Sequence, residues 1–168
     1  MHHSQCARMV VGDARVAEER LAAEAAMDLS SELQGARSSY FEALEDGEDV
    51  DKKKFTYAWT LIHQKGQADL VTGISLLDEL STNKEVAREA LYFLAAAQFR
   101  LGKFALARAT LKKLQGLDPN NRQAADLKAL VEEVLQREGT IGLAVLSGVV
   151  AAGGAVALAM GAALLKRR

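Results

Sequence analysis

The chain has 168 residues, 49% hydrophobic and 26% charged, with 21 Lys and Arg against 22 Asp and Glu and a net charge of −1. Every acidic residue precedes Gly139, so the upstream part is net acidic, which argues against a nucleic-acid partner. The lone cysteine, Cys6, excludes an internal disulfide, as expected of a cytosolic protein, and the lone proline, Pro119, leaves almost the whole chain open to long helices.

Residues 1–35 read as an N-terminal extension. Met1–Val11 lacks the apolar core of a secretory signal, and Asp13, Glu18, Glu19 and Glu24 interrupt the pattern of a transit peptide. Ala14–Leu33 carries a thin stripe of Val16, Leu21 and Leu29, which suits either a helix lying on the domain or a mobile arm.

Residues 36–138 read as a helical domain containing a repeat. Tyr40, Phe41 and Leu44 precede the break at Asp46–Asp51 and are expected to cover the first unit. Leu70, Gly73, Leu77 and Leu80 recur as Phe104, Ala107, Leu111 and Leu114, a period of 34, the length of a tetratricopeptide helix–turn–helix. The units are 54–87 and 88–121. The second has Gly102 in its turn, Ala107 at the tight helix crossing and Pro119 at its close. The first has Gly73 at the small position, and Thr82 with Glu85 has capping-box spacing for the helix that follows. Two units cannot seal their own ends. A capping helix over 121–138, with Ala124, Leu127, Leu130, Val131, Val134 and Leu135 on one stripe, covers the second.

Thr140–Leu165 contains no ionisable residue, Asn, Gln or Pro. As a helix it reaches roughly 39 Å against a hydrocarbon core of about 30 Å, and lipid requires it to be helical. Its anchor is diluted by Gly142, Gly148, Gly153 and Gly161 and runs from Thr140 to Leu165, followed by Lys166, Arg167 and Arg168 as a basic targeting end. A span so placed fastens the domain to a bilayer by its tail, with the N-terminus in the cytosol. Gly153, Ala157 and Gly161 form a small-xxx-small ladder that suits a homo-oligomer. The fold class is therefore all-α, a tetratricopeptide-like helical bundle with a C-terminal transmembrane helix.

No catalytic, metal-binding or cofactor-binding constellation occurs in the sequence. His63 has no Ser, Cys or second His paired with it. The expected function lies in a groove lined by the first helix of each repeat. The 34-residue register puts Glu89, Tyr92, Ala96, Phe99 and Arg100 there from the second unit, and Phe55, Ala58, Ile62, Lys65 and Gly66 from the first. Ala58, Ile62, Tyr92 and Ala96 would make an apolar floor for a helix or short peptide, or else Phe55, Tyr92 and Phe99 are core packing.

Phe55-Thr56-Tyr57-Ala58-Trp59, Asp69–Leu80, Leu91–Ala95 with Phe99–Phe104, and Arg137–Gly142 leading into the Gly/Ala-rich segment together resemble the mitochondrial fission 1 protein family. The resemblance implies a bundle of six helices with two tetratricopeptide-like repeats. It also implies single-pass anchoring in the mitochondrial outer membrane, and in peroxisomes too. The implied role is an adaptor in organelle division that helps recruit a dynamin-related GTPase or its adaptor proteins. The alternative is a tail-anchored receptor for chaperones or imported proteins. Such a receptor needs Lys, Arg and Asn in the groove, where this chain has Ala58, Ile62, Tyr92 and Ala96.

Overall fold

The structure, a computed structural model, describes residues 2–139, with side chains from Ala14 onward. Six helices follow in order: α1 (His2–Ala25), α2 (Ser30–Asp46), α3 (Val50–Ile62), α4 (Gln67–Leu80), α5 (Ala87–Arg100) and α6 (Phe104–Leu117). A further helix, α7, covers 122–139, and no strand occurs among the described residues. The chain divides into a unit ending at Glu132 and one beginning at Glu133. Within the described part of the second, Glu133 and Arg137 pair one turn apart.

Consecutive helices pack in antiparallel pairs, α3 on α4 and α5 on α6, with α4 against α5 joining the pairs and α2 on α3. Ala58, Ile62, Leu70, Leu77, Leu80, Ala90, Leu94 and Ala97 form one buried cluster between α3, α4 and α5. Gly73, Leu77 and Leu80 on α4 and Ala107, Leu111 and Leu114 on α6 are all buried, so the second helices keep the 34-residue register. Ala124, Leu127, Leu130 and Val131 are buried on α7, whereas Val134 and Leu135 are only half-buried.

The turns carry their own chemistry. Gly47 closes α2 at φ 77°, where a side chain would be strained, and its N–H donates to the Ala43 carbonyl. Gly102 takes φ 69° in the α5–α6 turn. The approach to α5 is capped by Asn83, not by the Thr82–Glu85 pair. Asn83 Oδ1 accepts from the backbone N–H groups of Glu85 and Val86 at 2.8 and 3.3 Å. Asn121 does the same for α7, accepting from the Ala124 N–H at 2.9 Å.

Two expectations change, and a third is untested. The buried stripe of α1 is Ala14, Ala17 and Leu21, while Val16 is 46% exposed and Leu29 half-buried. On α2, Tyr40 stacks on Tyr57 with ring centroids 5.9 Å apart and Ala43 is buried, but Phe41 and Leu44 face outward. The membrane span expected over 140–165, with Thr140, the glycines, Ala157, Leu165 and the basic end Lys166–Arg168, lies outside the described residues. Among the described residues no helix is long and apolar enough to cross a membrane.

Candidate functional site: the face of the first helices

The period of 34 does not hold for the first helices. The helix starts Val50 and Ala87, and Gln67 and Phe104, each lie 37 residues apart. Three residues are nearly one helical turn, so α4 and α6 present the same face under either spacing. On α3 the same offset turns the selected line by about 60°, from Phe55 and Trp59 onto Ala58 and Ile62. A Cβ at Gly73 would lie 2.6 Å from Ile62 Cγ2 and 2.9 Å from the Ala58 carbonyl oxygen. Ala58 and Ile62 are therefore the tight α3–α4 crossing and belong to the core, not to a groove floor.

Moving the frame to 37 places Phe55, Trp59 and His63 opposite Tyr92, Ala96 and Arg100. Of these, Phe55, Trp59, His63 and Tyr92 meet in an aromatic cluster. Phe93 is its hub, with ring centroids 5.2 Å from Tyr92, 6.0 Å from Phe55, 6.3 Å from Trp59 and 6.4 Å from His63. Phe55, Trp59 and Phe93 are half-buried, a wall of aromatic edges and faces along α3 and α5. The sequence reading passed over Trp59 and Phe93. The signal that could have found them is the aromatic spacing Phe55-x-x-x-Trp59-x-x-x-His63, one line along a helix.

The other expected site residues divide by role. Tyr92 and Ala96 are buried. Glu89 and Lys65 are exposed. Phe99 packs edge-on to Phe104 at 5.2 Å and holds the α5–α6 turn. Arg100 donates from Nη1 to the carbonyl of Ile62, capping the end of α3.

The N-terminal extension lies against this face. Arg20 of α1 places Nη2 3.5 Å from Asp126 Oδ2 on α7, a carboxylate that is 2% exposed. Burial opposes the charge on Arg20, but Tyr92 and Asp126 outweigh it, and the guanidinium is more firmly protonated than usual. The Tyr92 hydroxyl is harder to ionise than usual, chiefly through burial and then through the Glu24 charge. Glu24 is itself pushed up by burial, against the pull of Arg20 and Arg100. Beyond the α1–α2 link, Gln64 Nε2 donates to the Leu29 carbonyl at 3.2 Å. A cleft of about 370 Å³ remains, bounded by Glu24, Arg88, Glu89, Tyr92, Phe93 and Asn121 among others.

His63 is 4% exposed and sits against Trp59, with ring centroids 4.5 Å apart. Its Nδ1 lies 2.7 Å from the Trp59 carbonyl, which can only accept, so Nδ1 carries the hydrogen. Burial lowers its basicity, and Arg100 adds to this against the Trp59 hydrogen bond. No group of three His, Cys, Asp or Glu among the described residues could hold a metal ion.

The mitochondrial fission 1 protein of Neurospora crassa is 39% identical over 128 residues, which cover 75% of this chain and 82% of that protein. The chain belongs to the mitochondrial fission 1 protein family. Residues 88–140 match the model of the Fis1 C-terminal tetratricopeptide repeat. The crystal structure of Fis1 from Saccharomyces cerevisiae superposes with a TM-score of 0.62 at 25% identity, covering 73% of this chain and 95% of that one. A crystal structure of yeast Fis1 in complex with an Mdv1 fragment matches at a TM-score of 0.55 and 27% identity, over 66% of this chain and 87% of that one. The fold is thus all-α and tetratricopeptide-like, and the family is one of adaptors, not enzymes.

Proposed function

We propose that this chain is an adaptor in mitochondrial fission whose first-helix face receives a helical segment of the division machinery. The observation that carries the reading is the half-buried aromatic wall of Phe55, Trp59 and Phe93 beside the cleft at Arg88 and Glu89. Partly accessible aromatics on rigid helices offer contact area at small entropic cost, as helix-in-groove recognition requires. Yeast Fis1 holds an Mdv1 fragment with an N-terminal extension and coiled coil, which supports a fission adaptor as the partner class; on our reading that adaptor bridges to a dynamin-related GTPase. The uncharged segment Thr140–Leu165 spans the mitochondrial outer membrane, and the peroxisomal membrane, with residues 36–138 facing the cytosol.

The test is binding of an adaptor fragment of that class to the full-length protein and to Trp59→Ala. The aromatic anchor should be worth at least about tenfold in affinity. Val71→Ser, an exposed site on α4, should change nothing. Equal affinity for Trp59→Ala, with its helix content and melting temperature intact, would overturn the reading. Membrane insertion is tested separately by carbonate extraction of the full chain from mitochondria. Release into the supernatant would remove the span.

A further inference from the structure

At the end of the helix array, α2 packs on α3. Terminal elements of stacked helical repeats usually show solvent a polar face. The outer side of α2 interrupts its polar residues with two large apolar ones. Phe41 and Leu44 are each 49% exposed. Arg37, Phe41 and Glu45 stand at spacings of four residues on one line of that face. Arg37 lies over the Phe41 ring at 5.7 Å to the centroid, and neither Arg37 nor Glu45 has an ion-pair partner among the described residues.

A face that reads cation, aromatic, anion at equal spacing is complementary to itself when turned end for end. We propose that the chain forms a homodimer in which α2 packs antiparallel on α2 of a second copy. The two Phe41 rings meet at the symmetry axis. Arg37 of each copy faces Glu45 of the other, and Leu44 covers the small Ser38 across the axis. The flanking Glu42, Asp46 and Glu48 speak against an anionic lipid surface as the occupant. A uniformly basic helix would set its charge against Arg37, which a second copy does not.

One helix face is small for a stable interface, so the pairing is weak in dilute solution and gains where copies share one surface. The inference does not rest on the fission reading. Its residues lie on α2, away from the aromatic wall on α3 and α5.

The experiment is oxidative cross-linking of the full-length chain carrying Cys6→Ser and Phe41→Cys, in detergent solution. A residue on the symmetry axis should form a disulfide dimer in large excess over Val71→Cys, which is similarly exposed at 52% but on α4. Adding Arg37→Glu turns two attractive pairs into two repulsive ones and should lower the yield about tenfold. Adding Glu45→Arg as well re-forms both pairs with reversed sign and should restore it. No excess of Phe41→Cys over Val71→Cys overturns the proposal. So does a double variant that stays at the level of Arg37→Glu.

Discussion

Arg20 on α1 supplies the counter-charge for Asp126 on α7, 106 residues away in sequence and only 2% exposed. The N-terminal helix is therefore held by a partly buried ion pair as well as by its thin stripe of Ala14, Ala17 and Leu21. An alanine-rich stripe buries little apolar area, so the charge pair has a large share in deciding whether α1 stays docked.

Replacing Arg20 by Met keeps the stem and removes the charge, leaving Asp126 buried without its cation. The loss of a charge-assisted contact costs about 1–3 kcal/mol. It should fall mainly on α1, because the α3–α6 core contains none of these groups. Backbone hydrogen exchange over Ala14–Ala25 should speed up about tenfold in Arg20→Met while α5 amides keep their protection. Uniform loss of protection, or none, would show that the pair does not govern docking.

Glu24 works in the opposite sense. Burial raises its pKa above the ordinary 4.5, with Arg20 and Arg100 only partly compensating. A carboxyl with a raised folded-state pKa contributes its stability below the unfolded value and loses it as pH rises through the folded one. At neutral pH the ionised Glu24 thus loosens α1. Glu24→Gln should slow hydrogen exchange in α1 at pH 7 relative to the parent, and the difference should shrink as pH falls toward 4.5. A variant that exchanges faster at pH 7 would reverse the sign of this argument.

The helical class and the second-helix core were legible because Gly73, Leu77, Leu80 and their counterparts Ala107, Leu111, Leu114 carry a strong apolar period. The groove side of α3 was not. Spacings of 34 and 37 differ by nearly one turn, and α4 and α6 satisfy both, so only the observed approach of Gly73 to Ala58 and Ile62 distinguishes them. The docking of α1 was equally hidden. Of its buried residues only Leu21 stands out by hydropathy, Ala14 and Ala17 leave little signal, and its key partner, Asp126, is an ordinary charged residue until the fold buries it.

Two glycines in helices make opposite predictions. At Gly73 an added Cβ would meet the Ala58 backbone oxygen at 2.9 Å, and a backbone atom cannot swing aside. Gly73→Ala should therefore lower stability by about 1–3 kcal/mol despite the better helix propensity of alanine. At Gly35 on α2 the same Cβ meets nothing within 4 Å. Gly35→Ala should raise stability by about 0.5–1 kcal/mol. Urea unfolding of both variants checks the pair, and a neutral Gly73→Ala would deny the tight α3–α4 crossing.

His63 makes the aromatic cluster sensitive to acid. Its pKa is lowered from 6.5, first by burial and then by Arg100, while the Trp59 carbonyl opposes the shift. The unfolded chain takes up a proton near 6.5 that the folded chain refuses until lower pH. The contribution of His63 is therefore complete above 6.5 and declines as pH falls through the folded-state value. Arg100, at the same end of α3, adds a fixed positive charge that makes protonation there more costly. Gln at position 63 retains a donor for the Trp59 carbonyl but does not titrate. The urea midpoint of the parent should fall more between pH 7.5 and 5.5 than that of His63→Gln, since carboxylates elsewhere affect both chains alike. Equal falls would mean that His63 is already free to protonate in the folded state.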